Sequence, residues 1–319
     1  MTTRLRWEIG DRLSPLHAAH CWAGGRKGID SQLVQAIAEP MAQLTERLAA
    51  DEVNLEAFWR CLLTHVAANH PAAEDRDACR AALAAAGVGE LTLDAVTSAV
   101  HSRVAEIRLA FQERFPKLAQ QLSLRGRPLR EQWEAYGPGL LRFVGKQTHE
   151  AFLPKTVTAL LLSPYRGGDG DCDSVSATLW IEAVLTNPVP EIPEVLRLTW
   201  LVSRIGLERA CMSHPLPADQ DSPGPTGAIR QTDVIGLALI PIVLQSAVEL
   251  ELLAPIEAAP DRIVTAVAAW SGHAETNVVE ILHDWWRQTR QLRPAFPVSL
   301  KALDRMLPGS PSLRLGASP

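Results

Sequence analysis

The sequence predicts a predominantly α-helical α+β protein, with a helical N-terminal half, a small sheet containing a central β-hairpin, and a helical C-terminal part. Three observations carry that expectation: long runs of apolar residues at helical spacing, one central change to period two, and clusters of Gly, Pro and Asp that separate the runs. At 319 residues, 47% apolar and 21% charged, the chain has the composition of a globular protein with a sizeable core.

Helical spacing is clearest in LDAVTSAVHSRVAEIRLAF, where Val96, Val100, Val104, Ile107 and Phe111 recur every three or four residues and so line one face. Similar patterns run through 31–50, 53–69 and 74–86, the second bracketed by Asp51 and Pro71. Residues 1–125 therefore read as an all-helical region. VSATLWIEAVLT, residues 175–186, alternates instead: Val175, Ala177, Leu179 and Ile181 share one face, while Trp180 and Glu182 lie on the other. With TVTALLLSPY, residues 156–165, as its partner, it predicts a hairpin over 156–186 whose loop is GGDGDCDS, residues 167–174. Helical spacing resumes through Val195, Leu198, Leu201, Val202 and Ile205 behind Pro193, which suits a first helical turn. A proline-rich loop over 213–227 follows, then an apolar helix over 228–253 kinked at Pro241, and helices near 261–270, 275–291 and 298–306. Residues 126–307 thus form an α+β region, and 308–319 a disordered tail.

Composition bounds the function. A net charge of −5 argues against a general nucleic-acid binder, which needs a basic surface to displace phosphate counterions. Five scattered cysteines without CxxC spacing suit a reducing compartment, and the polar start MTTRLRWEIGDRL is not a secretory signal, so a cytoplasmic location is expected. The apolar stretch 234–253 carries Glu249 and Glu251 and is interrupted by Gln245, which favours a buried helix over a membrane span.

Several stretches carry ligand-type residues. Asp169, Asp171 and Asp173 occupy positions 1, 3 and 5 of a calcium loop, and they are the candidate metal ligands. The loop then needs Gly and a bidentate Glu where Ser174 and Trp180 stand, so a polar turn is the simpler reading. Glu280 and His283 form a single Glu-x-x-His pair, whereas a di-metal bundle needs two. His17, His20 and Cys21 in HAAHC, with Cys211 and His214 in CMSH, hold enough donors for zinc, but no sequence pattern ties the two clusters together. GLLRFVGK, residues 139–146, has the wrong spacing for a phosphate loop, and neither GxGxxG nor GxSxG occurs. RGRPLREQWEAYGPGLLR, residues 125–142, mixes arginines and aromatics as binders of anions or single-stranded nucleic acid do, but in an acidic protein it reads first as an amphipathic helix with Trp133 and Tyr136 inward, ended by the GPG break.

EQWEAYGPGLLR, WIEAVLTNPVPEIPEVLRLTWLV, GLALIPIVLQSAVELELL and AAPDRIVTAVAAW resemble an uncharacterised family of bacterial proteins over residues 126–270, a resemblance that supplies no catalytic residue. A fainter likeness, of layout only, is to zincin metallopeptidases, in which a hairpin runs into a helix bearing HExxH. Here EIPEVLRLTWLVSRI has Glu191 and Glu194 but no His, and HEAFL, residues 149–153, ends in Leu153 where the second His belongs. The expectation is therefore a non-catalytic binding or interaction protein of the bacterial cytoplasm, without a cofactor, whose partner is another protein and neither nucleic acid nor membrane. The alternative is a divergent zincin-like hydrolase drawing on Glu182, Glu191, Glu194 or the aspartate loop.

Overall fold

The computed structural model describes residues 3–213, 225–255, 261–271 and 276–307. The disordered tail expected over 308–319, most of the loop over 213–227, and His214 lie outside these residues. Over the described residues the chain is predominantly helical with one small four-stranded sheet, and it divides into two compact units.

One unit comprises residues 7–127 and 158–185, so the sheet segment groups with the N-terminal helices. Strand β1 (Arg4–Ile9) leads into helix α1 (Ser14–Ala23), followed by α2 (Ser31–Ala50), α3 (Leu55–Ala68), α4 (Asp75–Ala85), α5 (Glu90–Arg114) and α6 (Leu118–Arg125). Asp30 and Asn54 cap α2 and α3 by accepting from backbone N–H groups of the first turn, which satisfies donors that the helix leaves unpaired. The expected face of α5 is buried throughout: Val96, Val100, Val104, Ile107 and Phe111 are at most 1% exposed. It packs on α1, α2 and α4 in one apolar core with Leu160, Leu162 and Trp180 of the sheet. Burying such side chains contributes about 1.5–3 kcal/mol each.

The sheet corrects two expectations. First, the N-terminus is a strand and not a helix: RLRWEI alternates charged and apolar residues, with period two. Second, β2 (Thr156–Leu162) and β4 (Thr178–Glu182) are neighbours but run parallel, Thr158 facing Thr178 and Leu162 facing Glu182. The hairpin is made instead by β3 (Gly170–Asp173) and β4, so half of GGDGDCDS is strand and not loop. Asp173 explains the tight turn between them, because its carboxylate accepts from the N–H of Val175 and Ser176 and from the Ser176 hydroxyl. The strand order is β1-β2-β4-β3. Hydrogen bonds Arg4 N to Lys155 O and Gly10 N to Leu161 O advance together along β1 and β2, which makes them parallel as well. The carboxyl ends of β1, β2 and β4 consequently lie side by side.

The other unit comprises residues 1–6, 128–157 and 186–319. It holds α7 (Arg127–Gln147), a 3₁₀ turn (Glu150–Phe152), α8 (Glu194–Ser213), α9 (Pro225–Glu249), α10 (Asp261–Ala266) with a π-helical turn (Val267–Ser271), α11 (Thr276–Leu292) and α12 (Phe296–Met306). Helix α7 runs straight through the GPG sequence expected to end it, because Leu140, Leu141 and Val144 continue its buried face; Trp133 is buried as expected, but Tyr136 is 41% exposed. Gln231–Glu249 of α9 is long and apolar enough to cross a membrane, and 72% of it is buried within the fold.

Candidate functional site

At the carboxyl ends of β1, β2 and β4, where open sheets with parallel strands place their ligand sites, charged groups gather below the surface of the first unit. Each strand delivers one part. β1 passes through Gly10 into α1, where Ser14, His17 and Cys21 are all buried. The hydroxyl of Ser14 donates to Gly10 O and accepts from Ser163 N, tying the start of α1 to the loop after β2. β2 opens into the loop 163–169, and β4 ends on Glu182.

Glu182 is fully buried, and its carboxylate organises the loop. Oε1 accepts from the N–H of Tyr165 (2.8 Å) and Arg166 (2.9 Å) and from His17 Nε2 (3.0 Å); Oε2 accepts from the N–H of Gly167 (2.9 Å) and Gly168 (2.6 Å). Four successive backbone donors thus close round one anion, a nest built by residues that curl the chain. Gly167 and Gly168 supply the curl, with φ of 85° and 140°, in a region that side-chain-bearing residues avoid. Burial works to raise the pKa of Glu182, but the hydrogen bond and charge of His17 outweigh it and hold the carboxyl below its ordinary value.

His17 is the second member. Burial disfavours its charge, yet the adjacent sulfur of Cys21 and the Glu182 carboxylate more than offset this, so its pKa is raised well above the usual imidazole value. Cys21, one helical turn along α1, places Sγ 3.7 Å from His17 Nε2 and 3.6 Å from Asp169 Oδ2. Asp169 in turn receives Arg26 at 2.9 Å and Arg166 at 3.4 Å on the same oxygen, beneath two guanidinium groups that reach the surface. His20 sits beside the group, packed on Trp59. Burial, with the charges of Arg26 and His17, lowers its pKa to about 4, so it is neutral near pH 7.

The arrangement sorts the candidates. Of the three aspartates, Asp169 turns inward to this group; Asp171 is exposed and accepts from Cys172 N, and Asp173 is spent on the hairpin turn. Among the described residues, the His, Cys, Asp and Glu side chains close enough to share one ion are His17, Cys21 and Asp169, whose ligand atoms lie within 4.8 Å of one another. Thus the structure joins the two ends of HAAHC to one residue of the aspartate stretch. Cys211 lies on α8 in the other unit. Glu280 is exposed on α11; Glu191 is exposed ahead of α8, and Glu194 is buried with Arg197 at 2.9 Å. His149 and Glu150 belong to an exposed 3₁₀ turn, where His149 Nδ1 accepts from Ala151 N. Glu182 as the centre of the group was visible only as a lone acid in an apolar strand. Comparison with protein-family models, with curated proteins and with solved structures found no match.

Proposed function

We propose that the protein acts by binding and not by catalysis. One observation carries this reading: the cysteine, histidine and glutamate of the site are enclosed, and Cys21 Sγ and Glu182 Oε1 both address the same ring nitrogen of His17. A nucleophilic triad needs the base to face the nucleophile with one nitrogen and its orienting carboxylate with the other, so that a proton accepted from sulfur does not compete with the carboxylate bond. Here Glu182 is already satisfied by five donors, and Cys21 is 0% exposed. The group serves to hold the loop 163–169 rigid, which suits a surface preorganised for recognition. All five cysteines are thiols, in keeping with a reducing, cytoplasmic setting.

The test is differential alkylation of the native protein with iodoacetamide, read by peptide mass spectrometry. Cys61, Cys172 and Cys211, which are partly exposed, should be modified well before Cys21. Modification of Cys21 ahead of the other four would identify an activated, accessible nucleophile and overturn the proposal.

A further inference from the structure

Two sulfur contacts at the site have lengths that suit weak thiol hydrogen bonds and equally the spacing of atoms that share one metal ion. Cys21 Sγ stands 3.7 Å from His17 Nε2 and 3.6 Å from Asp169 Oδ2. In a tetrahedral zinc site, with metal–sulfur bonds of about 2.3 Å and metal–nitrogen or metal–oxygen bonds of about 2.0–2.1 Å, neighbouring ligand atoms fall about 3.3–3.6 Å apart. The two sulfur distances are close to that spacing, the three ligand atoms lie within 4.8 Å of one another, and all three residues are buried, so a bound ion would be enclosed as structural zinc ions are.

Both contacts run through the atoms that an ion would use, since Cys21 Sγ reaches His17 Nε2 and Asp169 Oδ2. Nε2 also donates to Glu182, so ligation by Nε2 replaces that bond and leaves Glu182 its four backbone donors. We propose that His17 Nε2, Cys21 Sγ and Asp169 Oδ2 form a binding site for a zinc-class transition-metal cation.

The donor set selects the ion. Thiolate and imidazole favour zinc and its neighbours over calcium or magnesium, which take oxygen ligands. Binding releases the Cys21 thiol proton and the His17 Nε2 proton to solvent, and the thiolate with the Asp169 carboxylate balances the two charges of the ion. Arg26 and Arg166 contact the Asp169 oxygen that the ion would share; their side chains are 26% and 30% exposed, which lets both turn out to water. The site is distinct from a calcium loop, because it uses Asp169 alone of the three aspartates.

The decisive experiment titrates the full-length protein with zinc against a chromophoric chelator and, separately, with cobalt followed by absorption. The expected results are one equivalent of zinc bound, and a near-ultraviolet sulfur-to-cobalt charge-transfer band in the wild-type protein, which requires a thiolate ligand. Cys21→Ser should weaken zinc by at least about tenfold and abolish the band, while Asp171→Asn should leave both unchanged. Failure of the wild-type protein to take zinc from the chelator, a cobalt spectrum without the thiolate band, or loss of binding in Asp171→Asn but not in Cys21→Ser would each overturn the proposal. Where Cys21→Ser fails to fold, Asp169→Asn takes its place: it should weaken zinc while keeping the thiolate band, and unchanged zinc binding in it would overturn the proposal.

Discussion

Replacing Glu182 by glutamine preserves its size and removes its charge, so it isolates what the carboxylate does for the loop. The carboxylate accepts five hydrogen bonds, three at Oε1 and two at Oε2. A glutamine carbonyl can keep one of these sets, and its amide nitrogen then points N–H groups at the donors of the other set. At least two donors lose their acceptor. Each buried donor left unsatisfied costs about 1–3 kcal/mol, which gives about 2–6 kcal/mol. Gly167 and Gly168 are only partly buried, so water recovers some of this, and the expected loss is about 3–4 kcal/mol. Against a total stability of about 5–15 kcal/mol this is a large fraction. Because the chain has two compact units, amide hydrogen exchange of residues 158–183 under native conditions is the appropriate assay, since it reports the opening of this unit by itself. Protection should fall across β2, β3 and β4, and most steeply at the amides of 165–168. A loss below about 1 kcal/mol, with those four amides still protected, would show that the carboxylate does not hold the loop.

Two further outcomes follow from the same geometry. His20 has a folded pKa of about 4 against an ordinary 6.5, so below pH 6.5 the unfolded chain binds a proton that the folded one refuses; stability should fall by up to about 3 kcal/mol as pH drops from 6.5 to 4. His17, with a raised pKa, contributes fully below 6.5 and loses its contribution only as pH rises through its folded value, whereas Glu182, lowered from 4.5, contributes above 4.5 and loses it as pH falls through its folded value. Neither accounts for the decline between 6.5 and 4.5, so urea midpoints measured with chelator present should decline there in the wild type and stay level in His20→Gln; an equal decline in both would refute the assignment. In the other unit, Gly206 of α8 lies so close to the Phe152 carbonyl that an added Cβ would overlap it. Gly206→Ala should therefore cost at least about 1–3 kcal/mol and lower the melting temperature by about 5 °C or more; an unchanged melting temperature would count against this packing.

Much of the fold was legible because local signals and tertiary packing agree. Val96 to Phe111 sit at helical intervals and bury that face; Pro193 stands one residue before α8 begins. The errors fall where two signals compete. At the N-terminus, charged Arg4, Arg6 and Glu8 alternate with Leu5, Trp7 and Ile9, a pattern of period two that reads as merely polar until a sheet is found for it. At Gly137–Gly139 the breakers are real, but the buried face beyond them outweighs their propensity and α7 continues.

The hairpin error has a deeper cause, and the same cause hid the site. Alternation identifies a strand and says nothing of the direction of its neighbour, so two strands joined by a short connection were paired antiparallel. The chain instead inserts β4 between β2 and β3, which brings the end of β4 back to the end of β2. Only in that order does Glu182 meet the loop 165–168, and only then does Asp169 stand over α1. The spacing of His17 and Cys21 is readable from sequence as a shared helical face; their meeting with Asp169 and Glu182, 148 and 165 residues away, is a property of strand order and of nothing local. Glu182, inside the apolar-rich run 175–186 and at the end of β4, is a further trace in the sequence, since a carboxylate buried in such a place needs buried donors and so a polar group built round it.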